Sequence, residues 1–406
     1  MTELIHDVVV VGGGPAGLSA AYALKQQKLN PFVIEQTQAV GDVWRNHYEG
    51  LRLNTKRYFS RLAGGVIPRS AGAWPGKDDV VRMLESIPRN GGFQVETGVC
   101  VTAVVYEPDT SLWRIQSDSL ADIFARVVVL AVGASRLPVI PEWPGLDSFT
   151  GEVLHFSKFK NALDHKGKRV LVVGSGNSGA EIATRLSEHA DVTLSIRTPP
   201  YILPKSVCGV PLASLGVVLR KLPRAVGDCV LAFLQRQFVG DLTKYGLPLP
   251  KGSLSEKFSR THVTPTLYAP FATALRSGRL KIVGPIQKIN HENVYVQDRI
   301  FGESDELMDL KPDLIVAATG FRPGLADLVS APNVKLPKDW PRSHIVEGPA
   351  VLPNLHVIGQ VNPLSGQLRE IRLESYRIAK LVQRELKMRH QTDTKAVRPS
   401  YVERSV

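Results

Sequence analysis

The 406-residue chain holds only three cysteines, Cys100, Cys208 and Cys229, with no C-x-x-C pair and no metal-ligand spacing. A disulfide framework, a redox dithiol and a bound metal are therefore not expected. No apolar run approaches the ~18 residues of a membrane span, and Met1 to Asp7 lacks the basic stretch and apolar core of a secretory signal. These absences predict a reduced, cytoplasmic protein. Glycine and proline stay below low-complexity levels, and 43% hydrophobic with 22% charged residues is an ordinary globular balance, which excludes disordered and fibrous classes. At roughly 150 residues per domain the length implies two or three domains.

What the chain has in excess is positive charge. Lys and Arg number 50 against 38 Asp and Glu, a formal net charge of +12 that should attract anions. The bases are scattered outside the last twenty residues, and no zinc-finger, RRM or helix-turn-helix signature accompanies them. Anionic cofactors or a small, anionic substrate therefore explain the charge, and no nucleic-acid partner is expected.

Two βαβ units are legible. Asp7 to Val11 (DVVVV) reads as a strand buried on both faces, Leu18 to Gln27 as a helix and Pro31 to Glu35 (PFVIE) as a second strand. The pattern returns as a strand at Arg169 to Val173, a helix from Ser178 to Glu188 and a strand from Val192 to Arg197. The first glycines of the two units, Gly12 and Gly174, lie 162 positions apart, which suits two nested dinucleotide-binding domains of an α/β protein rather than one doubly wound domain. Three further strands end at a glycine: Val127 to Ala131 before Gly133, Leu314 to Ala317 before Thr319 and Gly320, and Leu355 to Ile358 at Gly359. A helix should follow from Gln367 to Leu386, and Pro138 to Pro144 reads as a linker. The expected layout is 1–150 as the first part of an FAD-binding domain, 151–324 as an inserted NADPH-binding domain with a helical insertion at about 209–260, 325–386 as the second part of the FAD-binding domain, and 387–406 as a flexible basic tail.

Each unit opens with G-x-G-x-x-G between strand and helix: Gly12-Gly13-Gly14-Pro15-Ala16-Gly17 and Gly174-Ser175-Gly176-Asn177-Ser178-Gly179. One glycine permits the turn, one lets a pyrophosphate approach the backbone, one lets helix and strand pack, and the helix N-terminus supplies N–H donors. Glu35 and Arg197 both lie 21 residues after the middle glycine of their unit, with opposite charge. A carboxylate there accepts ribose hydroxyls and repels a 2′-phosphate, whereas a guanidinium pairs with that phosphate. The first unit is expected to hold FAD and the second NADPH, and a two-electron donor beside a flavin can pass electrons on to dioxygen.

Phe149-Thr150-Gly151-Glu152-Val153-Leu154-His155, closing with Phe159, fits F-x-G-x-x-x-H-x-x-x-[FY] between the fingerprints. With Gly41 to Arg45, Leu51 to Lys56 and Ala318 to Phe321 in order around it, the chain resembles the class B flavin-containing monooxygenases over residues 5 to 385. Lys168 to Ala180, Ile202 to Lys205 and Lys244 to Leu247 look most like the branch with the plant indole-3-pyruvate monooxygenases and bacterial relatives. The resemblance implies that NADPH reduces FAD, that dioxygen then adds at flavin C4a, and that bound NADP⁺ shields the adduct in a dry pocket. It places Gly12, Gly14, Pro15, Ala16, Gly17, Glu35, Gln36, Trp44, Arg45, Val101, Gly133, Gly359, Gln360, Gln367 and Leu368 around FAD. Gly174, Ser175, Gly176, Asn177, Ser178, Gly179, Arg197, Thr198, Thr319 and Gly320 would serve NADPH.

Asn54 is the implied polar residue beside the flavin, with a turn-forming role as the alternative; for Trp44 the alternative is a packed aromatic. His155 is assigned a structural, domain-coupling role. Gln360 stands where related proteins carry Asp, and it can still donate and accept. The helix from Gln367 would aim its N-terminus at flavin N1 and O2. The Baeyer–Villiger branch usually has Trp where this chain has Phe159, which favours N-, S- or α-keto acid oxygenation over ketone insertion. A reductase that transfers no oxygen and a non-enzymatic nucleotide sensor are the competing readings. The apolar stretch 209–240, with Arg220, Lys221, Arg224 and Arg236, reads as a packed helical insertion because Pro223 interrupts it, membrane contact being the alternative. Either a monomer or a homodimer is compatible with the sequence.

Overall fold

The structure is a computed structural model that describes residues 4–219, 222–261, 264–298, 300, 307–336, 352–361 and 365–396. The strand Ile5–Val11 pairs in parallel with Pro31–Glu35 on one side and Ile123–Leu130 on the other. Val8 and Val10 are fully buried in a cluster with helix residues on one face, and Val9 in a second cluster with Val104, Trp113 and Leu325 on the other; each such burial contributes roughly 1.5–3 kcal/mol. Val101–Glu107 and Leu112–Ser117 extend the sheet antiparallel beyond Ile123–Leu130, and Leu355–Val357 joins that strand in parallel. The helix Pro15–Gln26 packs against Gln367–Ala396, with the buried Ser375 hydroxyl donating to that of Ser19 at 2.9 Å. Residues more than 350 positions apart thus close one unit.

The second unit is a five-stranded parallel sheet in the order Leu280–Val283, Asp191–Ser195, Arg169–Val173, Leu314–Ala317, Glu152–His155. Asn177–Leu186 and Ala269–Arg276 cover one face, and a three-stranded antiparallel sheet of Ile286–Asn290, Asn293–Gln297 and Leu307–Leu310 lies against the other. All its parallel strands fall between residues 152 and 317, inside the first unit's chain path.

Several expected boundaries shift. The first helix begins at Pro15, not Leu18, because proline at the first helical position has no N–H to leave unpaired. The second unit's helix begins at Asn177, and its next strand ends at Ser195, so Arg197 lies two residues beyond the strand. The strand expected from Val127 starts at Ile123. The last helix runs to Ala396, ten residues past Leu386, so 387–396 is helix and not tail; 397–406 lies outside the described residues.

Between Val210 and Thr261 the chain forms helices Leu212–Leu219, Arg224–Phe238 and Leu254–Thr261. Pro223 caps the second of these and separates it from the first. Leu212, Leu231 and Leu234 pack inward, while Val226, Phe233 and Phe238 are exposed; the side chains of Arg220 and Lys221 lie outside the described residues. Among the described residues no helix is long and apolar enough to cross a membrane.

Candidate functional site

Both fingerprints have the same steric design. Gly12 has φ +112°, and a Cβ there would stand 2.6 Å from the Ala131 carbonyl oxygen; at Gly17 it would stand 1.7 Å from that of Gly12. Gly174 (φ +107°) and Gly179 repeat this at 2.5 Å from the Ala318 oxygen and 1.9 Å from the Gly174 oxygen. Gly14 and Gly176, the middle glycines, have nothing within 4 Å. Outer glycines that admit no side chain and a middle glycine facing open space make a cradle into which a pyrophosphate fits against the helix N-terminus.

A cavity of about 510 Å³ opens beside the first cradle. Its wall brings together Gly12, Gly14, Pro15, Ala16, Glu35, Gln36, Trp44, Val101, Gly133, Gly359, Gln367 and Leu368, all expected near FAD, with Asn54. Asn177 joins them from the second fingerprint. Gly17 is packed beneath the cradle, and Gly174, Ser175, Gly176, Ser178, Gly179, Arg197, Thr198, Thr319 and Gly320 lie off this wall on the second unit. Arg197 and Thr198 are exposed.

Glu35 ends its strand with the carboxylate nearly saturated. Oε2 accepts the Gly13 N–H at 2.6 Å, and Oε1 accepts the Thr37 N–H and hydroxyl, each at 2.8 Å. A carboxylate has about four acceptor positions, so one remains for a ribose hydroxyl. Arg45 is turned to other work: its guanidinium pairs with Asp42 and Glu85 and donates to the Val40 carbonyl at 3.1 Å, off the cavity wall. Trp44 lies on the wall, edge-on to His47 with ring centres 5.5 Å apart.

Asn54 ties the units together. Its Nδ2 donates to Asn177 Oδ1 at 3.4 Å, and Asn177 is held in turn by the Leu267 N–H at 2.7 Å and by donating to the Pro265 carbonyl at 3.1 Å. The Asn54 Oδ1 is buried with no partner, as are both amide atoms of Gln360 just off the wall. Orphaned buried polar atoms are rare; Asn54 lines the cavity, and Gln360 follows the wall residue Gly359. Gly359 donates its N–H to Glu374 at 3.1 Å and accepts from the Gln367 side chain at 3.3 Å, which locks the last strand to the start of the last helix.

His155 is buried, with Nδ1 bonded to Ser157 Oγ at 2.8 Å and Nε2 to the Gly320 carbonyl at 3.0 Å, and its ring packs on Phe156 and Phe321. Burial pushes its pKa below the ordinary histidine value, so it is neutral at pH 7. It holds the Gly320 turn, while Thr319 donates to the Val139 carbonyl. Sequence reasoning missed Thr37, Arg52, Thr264 and Leu267 on or beside the wall; only Thr37, two residues after Glu35, carried a local signal. All three cysteines are free and none lines the cavity.

A family model described as pyridine nucleotide-disulphide oxidoreductase matches residues 9–205. The probable indole-3-pyruvate monooxygenase YUCCA3 of Arabidopsis thaliana is 31% identical over 332 residues, covering 78% of this chain and 74% of the relative. The chain belongs to the class B flavin-containing monooxygenases. Indole-3-pyruvate monooxygenase YUCCA1 of Oryza sativa subsp. japonica is 30% identical over 321 residues, with 78% and 77% covered. As a member of that family the chain is an enzyme of the flavin monooxygenase type. The flavin-containing monooxygenase from Stenotrophomonas maltophilia shares the fold at a TM-score of 0.68 and 21% identity, over 93% of this chain and 99% of that one. So does cyclohexanone monooxygenase from Rhodococcus sp. Phi1 bound to NADP⁺, at 0.70 and 19%, over 95% and 85%.

Proposed function

We propose that the enzyme binds FAD at the first cradle and NADPH at the second, and uses NADPH and dioxygen to oxygenate a small organic substrate. The observation that carries this reading is the pair of matched glycine cradles, one ended by Glu35 at the cavity and the other followed by the exposed Arg197. When bound, FAD supplies two-electron chemistry between nicotinamide and dioxygen. One oxygen atom enters the product and the other leaves as water, with two electrons from NADPH and two from the substrate.

The protein's own part is positioning. Glu35 offers its remaining acceptor position to the FAD ribose, and Arg197 pairs with the 2′-phosphate of NADPH. The Asn54 amide, fixed by Asn177, holds an unpartnered acceptor beside the cavity, and it, the unpartnered Gln360 amide and the start of the last helix would bond to the flavin edge. His155 stays neutral and structural. N-, S- and α-keto acid oxygenation are the reaction classes, and the similarity to the plant indole-3-pyruvate monooxygenases favours the last. A cytoplasmic location belongs to the same proposal and is supported by three free cysteines, two of them exposed.

The test is direct. Purified protein should show a flavin absorption spectrum and consume NADPH together with oxygen. ¹⁸O from labelled dioxygen should appear in the product of one member of a panel of amines, sulfides, ketones, indoles and α-keto acids. Colourless protein that refuses added FAD and leaves NADPH untouched overturns the reading; NADPH-driven ferricyanide reduction with no label in any product would make the enzyme a reductase instead.

A further inference from the structure

We infer that Arg52, Lys56 and Lys205, which converge on Trp74 beside the cavity, form a site for the carboxylate of the substrate. The inference rests on the oxygenase reading for the word substrate, but not for the site itself.

The three cations come from both units. Lys56 belongs to the first unit and follows Thr55 on the cavity wall; Lys205 belongs to the second and precedes the helical insertion. Their Nζ atoms stand 6.0 and 5.8 Å from the centre of the Trp74 ring, and Lys205 stands 6.0 Å from that of Tyr268, the neighbour of the wall residue Leu267. Arg52 lines the cavity and donates to the Trp74 carbonyl at 2.9 Å.

Among the described residues none of the three forms an ion pair. Lys56 makes one hydrogen bond, to the Gly209 carbonyl at 2.6 Å, and no hydrogen bond engages the Lys205 ammonium. The nearby Glu181 is engaged by Arg185 at 2.8 Å. Burial pushes Lys205 below the usual lysine range, and Arg185 and Arg52 push the same way against Glu181. Glu181 is already paired with Arg185, so the cluster keeps a net positive charge beside the cavity, which favours an anionic ligand.

A carboxylate suits the arrangement. Its two oxygens can accept from more than one of these cations, and charge-assisted hydrogen bonds of this kind are about twice as strong as neutral ones. Trp74 and Tyr268 then offer flat apolar surfaces to the rest of the molecule, so the ligand class is a carboxylate on a planar or aromatic frame. In the proposed function the phosphates of NADPH are assigned elsewhere, to the second cradle and Arg197.

The measurement is calorimetric binding to the oxidised, FAD-loaded enzyme without turnover, using phenylpyruvate and phenylacetone, which share a frame and differ in the carboxylate. Wild type should prefer phenylpyruvate, and added salt should weaken that ligand first. Lys205→Met and Lys56→Met should each weaken phenylpyruvate about 10–100-fold and leave phenylacetone unchanged, while Lys205→Arg keeps binding within a few-fold. Equal affinity of wild type for the two ligands overturns the inference. A rise in KM for NADPH with phenylpyruvate binding unchanged does so too, by giving the cluster to a dinucleotide phosphate. If no ¹⁸O-labelled product is ever found but carboxylate selectivity persists, the oxygenase reading fails and the site stands.

Discussion

A methyl group at Gly17 would meet the Gly12 carbonyl oxygen at 1.7 Å, whereas at Gly14 it would meet nothing within 4 Å. Gly17→Ala is therefore expected to destabilise the protein by at least about 3 kcal/mol, seen as a lower urea midpoint. Gly14→Ala should fold with nearly unchanged stability and lose FAD instead, seen as a raised dissociation constant on titrating the apoprotein. If the two variants behave alike, the cradle is not what sets flavin affinity. Arg197→Ala should raise KM for NADPH about 10–100-fold while that for NADH moves little. The place of Glu35 on the cavity wall was legible because it sits at a fixed offset from a glycine string. The unpaired acceptor on Asn54 was not legible, since it depends on Asn177, 123 positions away.

The joint between the strand Leu355–Val357 and the helix Gln367–Ala396 hangs on Glu374, whose carboxylate takes the Gly359 N–H. Burial is the main influence on Glu374 and raises its pKa above the usual glutamate value; Glu370 adds to this, and the hydrogen bond and Arg377 oppose it. A carboxyl raised in the folded state favours folding below its unfolded pKa, and that contribution is lost as pH rises through the folded value. Glu374→Gln should accordingly melt at higher temperature than wild type at pH 8, with the gain gone at pH 4. A pH-independent difference would remove Glu374 as the titrating group. At this scale the strands and their glycine ends were readable from β-branched runs. The helix end was not, because apolar periodicity stops near Leu386 while Lys387, Met388, Arg389, Gln391 and Ala396 beyond it remain good helix formers.

Across the molecule, the two units meet along a seam of hydrogen bonds to backbone carbonyls. Arg185 donates to the carbonyls of Glu49 at 3.1 Å and Gly50 at 2.8 Å, and the Glu49 N–H donates to the Lys160 carbonyl at 2.9 Å. Tyr48 is buried beneath the Arg185 guanidinium, and burial and Glu181 raise its pKa, so it stays protonated throughout the working range. Arg185→Met should loosen the seam, and with it the closure that shields the reaction space from water. The expected result is faster hydrogen peroxide release per NADPH consumed, with the affinity of each unit for its own nucleotide retained. Unchanged peroxide yield would mean the seam does not govern coupling. The nested layout itself was readable from two glycine strings 162 residues apart, but the seam joins segments with no shared motif and was invisible.

Because Leu355–Val357 and Gln367–Ala396 complete a sheet and helix layer begun at Ile5, the ribosome delivers the outer unit in two instalments with a whole sheet between them. At about 5–20 residues per second, the nascent amino-terminal half waits on the order of 10–50 s for its last strand and helix. Throughout that interval the surfaces of Ser19 and Val129 that the late segment covers stand open to other chains. Biogenesis, more than the finished enzyme's stability, is then the stage at which this topology is most exposed to chaperones and to misassembly.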